Sequence, residues 1–154
     1  MIEERYELAL DRIRLMQTED TVGEPYRDYF KKMAEFVLML DELRTELLDG
    51  RYQKLELDEL RKWNRRLYQD VLPGQYEKSY ANPDYACKML GKESGQILGM
   101  LYAELRGAVV YVFEGKTEYL AILYELLIEV YNQFEEEPDP KLSLIHISEP
   151  TRPL

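Results

Sequence analysis

Apolar residues in the first sixteen positions fall three and four apart, at Ile2, Tyr6, Ala9, Leu10, Ile13 and Met16. That spacing is one face of an α-helix. "QTEDTVGE" then interrupts the pattern with polar residues and Gly23. A second helix is predicted from Pro25, a residue suited to the first helical position because its missing N–H has no partner there anyway. Its buried stripe is Tyr26, Phe30, Met33, Val37, Leu40 and Leu47, and Gly50 is its natural left-handed stop. Asp58 is expected to cap a third helix with Leu60, Trp63, Leu67 and, at its margin, Tyr68 facing inward. "DVLPGQYEKSYANPDYA" is the longest irregular connection, with a turn at Pro73-Gly74. Asn82, Pro83 and Asp84 form a helix start: cap, first-turn proline and a carboxylate placed for the dipole. A long helix is predicted from Pro83 to about Glu114, ended by Gly115. Thr117 is expected to cap the last helix, from Glu118 to about Glu136, before Pro138 and Pro140. No convincing strand pattern occurs in this stretch. The expected fold class is all-α, about five helices in an irregular bundle.

Two packing features stand out. In "GKESGQILGMLYAELRG", small residues recur every fourth position at Gly91, Gly95, Gly99, Ala103 and Gly107. Glycine inside a helix costs roughly 0.5–1 kcal/mol against alanine, so a row of them implies a compensating close approach along one face. The row reads as a helix-packing surface within the chain, or as a dimer seam or groove for a partner. Lys92, Glu93, Glu104 and Arg106 argue against its membrane counterpart. Gly99→Leu is accordingly expected to destabilise through overpacking. The last helix, "EYLAILYELLIEVYNQF", is apolar almost all round, at Leu120, Ile122, Leu123, Leu126, Leu127, Ile128, Val130 and Tyr131. Such a helix belongs at the centre of a core and needs cover on several sides. Glu118, Glu125, Glu129 and Glu136 mark its polar edge.

Length and charge narrow the partners. The 154 residues suit one domain, and the balance of 45% hydrophobic and 32% charged is globular. A net charge of −10 repels phosphate backbones and anionic lipid, so neither nucleic acid nor membrane is an expected partner. The chain has no 18-residue uncharged run, and "MIEERYELAL" is not a signal sequence. Single Cys87 permits no internal disulfide, and the expected compartment is the cytoplasm. Cys87 itself reads as a small buried hydrophobe.

Candidate chemistry is sparse. "EGKTEY" contains Gly115-Lys116-Thr117, but a phosphate loop needs glycine where Val110 stands and a strand before it. The four glutamates of the last helix resemble the carboxylates of a di-iron bundle, which also needs Glu-x-x-His pairs. The only histidine is His146, so Ser-His-Asp, Cys-His and the usual zinc sites have no imidazole in the helical part. No Asp/Asn/Gly spacing of a calcium loop appears. Thirteen tyrosines read first as core-edge residues whose hydroxyls reach water, and otherwise as an aromatic recognition surface. No catalytic, cofactor-binding or metal-binding residue is assigned.

The ending breaks with everything before it. Leu142 to Arg152 reads LSLIHISEPTR, which resembles the in-frame translation of a transposase adaptor used in sequencing libraries. On that resemblance 139–154 is a non-native or disordered tail. Residues 1–138 are then a helical domain, the N-terminal part of a longer natural protein. From Leu72 the text, especially "SYANPDYA" and "LIEVYNQFEEE", resembles the N-terminal helical region of aminopeptidase-T-like leucyl aminopeptidases. The resemblance implies an accessory or oligomerisation region of a cytoplasmic metallo-aminopeptidase, inactive alone. It also implies a divalent-metal site in the missing C-terminal part, so the expected partner is that domain or another protein helix. A homo-oligomer stays open, and a self-contained interaction module is the alternative.

Overall fold

A computed structural model describes residues 1–50, 57–74 and 77–135. Glu136, Pro138, Pro140 and the adaptor-like ending lie outside the described residues. Helix α1 spans Ile2–Thr18, α2 Tyr26–Leu48 and α3 Leu57–Arg65, which runs on into a π-helical turn at Arg66–Val71. Then come α4 Pro83–Leu90, α5 Lys92–Gly107, α6 Val109–Phe113 and α7 Thr117–Phe134. The all-α class is as expected, and the described residues contain no strand.

Side-chain pairs define how the helices run. Gln17 Nε2 donates to the Lys31 carbonyl at 3.2 Å while Arg44 reaches Glu3 at the other end, so α1 and α2 are antiparallel. Arg5 binds Glu125 and Arg12 reaches Asn132, so α1 and α7 run parallel. Phe30 meets Tyr131 edge-on at 5.2 Å, which sets α7 antiparallel to α2. Tyr6, Leu10, Ile13, Phe30, Met33 and Tyr124 fill this three-helix layer, each 0–1% exposed. Burying such side chains stabilises by roughly 1.5–3 kcal/mol each. Helices α4 and α5 form a second unit packed across α2, and α6 bridges α5 to α7.

Several expected features changed. The long helix from Pro83 to Glu114 is α4, α5 and α6. Gly91 breaks it with φ +89° and ψ 153°, a conformation essentially confined to glycine, and α5 folds back along α4. Ala108 breaks it again, its N–H tightening onto the Leu105 carbonyl at 3.0 Å. Leu60, expected inward, is 43% exposed, because Trp63, Leu67 and Val71 are the residues by which α3 and its extension enter the core. Pro25 sits one residue before α2 rather than in its first turn.

Local signals fared better. The Asn82 side chain accepts from the Asp84 N–H at 3.0 Å with Pro83 at the first helical position. Gly50 and Gly115 end their segments with φ +77° and +69°. The stretch Lys92–Phe113 is long and apolar enough to cross a membrane by length and composition alone. Its inner stripe of Leu98, Leu101, Tyr102 and Leu105 is buried against the rest of the fold.

Candidate functional site

The small-residue row does not form one continuous surface. Gly91 lies in the link between α4 and α5. At Gly95 the backbones approach so closely that a Cβ would stand 2.6 Å from Cys87 Cα and 2.7 Å from the Ala86 carbonyl oxygen. Gly99 faces the Tyr80 carbonyl, where a Cβ would find ordinary contact at 3.5 Å. A Cβ at Gly107 would meet nothing within 4 Å, and Ala103 is exposed. The row therefore serves the α4/α5 hairpin at one end and opens at the other. Between them lies an apolar groove of about 460 Å³, flanked by Tyr80, Pro83, Gln96 and Met100. Cys87 lines it and is half-buried, its thiol 3.7 Å from the Lys92 carbonyl, rather than a packed core residue.

Tyrosine hydroxyls find protein acceptors more often than the sequence suggests. Tyr26 donates to the Leu90 carbonyl, Tyr29 to Leu98, Tyr68 to Arg106 and Tyr102 to Pro73, at 2.6–3.0 Å. Tyr6 donates to Asp41 at 2.8 Å and Tyr80 to Asp28 at 3.2 Å. Burial pushes Tyr6, Tyr29, Tyr80 and Tyr124 well above the ordinary phenol pKa. Tyr124 is enclosed, and among the described residues its hydroxyl has no hydrogen-bond partner of acceptable geometry.

A cleft opens at the end of the bundle where α1 and α7 begin and α2 and α6 finish. Thr117 was expected to cap α7. Its side chain makes no capping bond, and its hydroxyl instead accepts from Arg44 Nη2 at 3.3 Å. The same nitrogen donates to Glu3 Oε1 at 2.8 Å, and the guanidinium lies 4.2 Å from the centre of the Tyr6 ring. The N-cap position falls on Lys116, so Thr117 stands inside the helix and its hydroxyl meets a cation from another helix.

The outer surface of α1 and α7 is the largest departure from the expected burial. Leu120, Leu123, Leu127 and Tyr131 are buried, but Ile122 and Leu126 are 48% and 45% exposed, beside Tyr119 at 49%. On α1, Leu8 and Leu15 are 63% and 54% exposed. Each lies one turn beyond an arginine of the α1/α7 seam, Arg5 or Arg12, so apolar side chains flank that seam on both helices. The glutamate edge is split by function. Glu125 accepts from Arg5 Nε at 3.0 Å, and this hydrogen bond holds its carboxyl below the usual range. Glu118 and Glu129 are exposed. Among the described residues no group of His, Cys, Asp and Glu is arranged to hold a metal ion.

No family model matches the chain, and no curated protein or solved structure matches it.

Proposed function

We propose that the chain is a non-catalytic helical docking region, and that it serves the catalytic unit of a metal-dependent aminopeptidase of the aminopeptidase-T-like kind. One observation carries the docking role: α7, apolar almost all round, leaves Tyr119, Ile122 and Leu126 exposed, and Leu8 and Leu15 are exposed on the neighbouring α1. An apolar face with a charged seam through it has the makeup of an interface core with polar registration. The choice of partner rests on the sequence resemblance and on composition. Residues 1–145 contain no histidine, so imidazole ligands for a catalytic metal would come from the other polypeptide.

Gel filtration with light scattering tests the reading on the chain mixed with a purified aminopeptidase-T-type catalytic polypeptide. A complex is expected, and the doubly substituted Ile122→Glu/Leu126→Glu chain, still cooperative in melting, is expected to lose it. Hydrolysis of leucyl amides by the chain alone, or equal behaviour of the two chains, overturns the reading. The alternative, a self-contained interaction module, is favoured instead by the open groove beside Met100. It would show as association that persists in the double variant and fails in Met100→Glu.

A further inference from the structure

The cleft at the bundle end encloses about 500 Å³, within the usual range of small-molecule sites. Its walls are mainly apolar, with Leu47, Val112 and Leu120 inside and Leu48 and Phe113 on the lip, 70% and 49% exposed. Its polar side chains are Arg44, Thr117, Glu3 and Tyr111, and the first three converge, with Arg44 bonded to both Glu3 and Thr117. The Arg44 side chain is only 12% exposed and is braced against Tyr6. Beyond its bonds to Glu3 and Thr117, it makes no other hydrogen bond among the described residues.

Glu3 supplies the carboxylate that this guanidinium holds. Yet Glu3 sits in the first turn of α1 with a side chain 62% exposed. An ion pair with so exposed a member contributes little to stability. Swinging Glu3 outward returns its carboxylate to water and leaves a planar donor fork at the head of an apolar cleft.

We propose that this cleft binds an amphipathic monocarboxylate, a medium-chain fatty acid or an arylalkanoate. The ligand's carboxylate takes the place of Glu3 on Arg44 and Thr117, and its apolar body lies against Phe113 and Leu48. A single negative charge fits best. Arg44 is the one cation among the described residues that line the cleft, and the chain's net charge of −10 opposes a dianion. An uncharged alcohol of the same length would leave the donor fork facing an imperfect acceptor.

Titration calorimetry with decanoate, compared with decanol, tests the assignment. One decanoate per chain is expected, with amide shifts at Gly115 and Thr117 in NMR and decanol bound at least about tenfold more weakly. Arg44→Met is expected to weaken decanoate by about tenfold or more. Glu3→Gln removes the internal competitor and is expected to tighten binding about two- to fivefold. Because Arg44→Met also removes the brace on Tyr6, Glu3→Gln decides the matter if that variant unfolds. Tightening supports the site, and unchanged affinity overturns it. Absence of saturable decanoate binding, or decanol binding as tightly, also overturns it.

Discussion

The α4/α5 hairpin and the α1/α2/α7 layer are held together by opposite means. In the hairpin, attraction comes from the removal of side chains: Gly91 turns the chain and Gly95 lets two backbones nearly touch. In the layer it comes from their bulk, with Tyr6, Phe30 and Tyr124 filling the space between helices and hydroxyls paired at the margins. A thin contact tolerates no added atom, because neither backbone can move without its helix. A bulky contact tolerates small losses of volume but is sensitive to charge, because its phenols are buried. Tyr29 joins the two units, donating from α2 to the Leu98 carbonyl of α5 at 2.6 Å.

Alkali should attack the layer most. Burial raises the folded pKa of Tyr6, Tyr29 and Tyr124 above the ordinary 10.0. Above that value the unfolded chain releases protons that the native one keeps, so stability present below pH 10 is lost as pH rises. The slope is about 1.4 kcal/mol per pH unit for each tyrosine so held. Of the thirteen tyrosines, the enclosed ones are expected to ionise, by tyrosinate absorbance, only together with the loss of far-ultraviolet circular dichroism. Ionisation of every phenol before any loss of helix would show that the rings are not enclosed.

Gly95→Ala should come next, at or above about 3 kcal/mol of destabilisation, because its Cβ meets backbone rather than a movable side chain. A denaturation midpoint equal to wild type would mean that α4 is free to withdraw. Smaller effects of opposite sign separate two phenols. Tyr29→Phe should destabilise by about 1 kcal/mol through its lost hydrogen bond, whereas Tyr124→Phe should stabilise by about 1 kcal/mol by removing a buried unpaired hydroxyl. Thermal melts of the pair check both signs. Smallest, Gly107→Ala should stabilise by about 0.5–1 kcal/mol, since helix propensity improves and nothing is crowded. A loss comparable with that of Gly95→Ala would restore the row as one uniform packing surface.

Gly99 shows why the row was only partly legible. Four-residue spacing places small residues on one helix face, but it carries no information about what lies opposite each of them. A Cβ at Gly99 would make ordinary contacts with the Tyr80 carbonyl and Ala86, whereas at Gly95 even a Cβ meets backbone, so crowding begins at different side-chain sizes along the row. Asn82 was legible because its cap needs only residues two and three positions on. Thr117 was not, because Arg44 approaches it from another helix, across 73 positions of sequence. The cleft had no sequence signal, and the apolar circumference of α7 signalled a need for cover without saying which face would lack it, since both depend on which neighbours arrive and which do not.

Helical periodicity, glycine stops and the Asn82 cap are written within a few residues of where they act, and they suffice for an all-α chain and for most of its buried stripe. Which glycine is crowded, which carbonyl each tyrosine finds, and where Arg44 is left at the head of an apolar cleft arise from helices meeting at long range. Those outcomes depend on distances between elements, and hydrophobic periodicity is silent about distance.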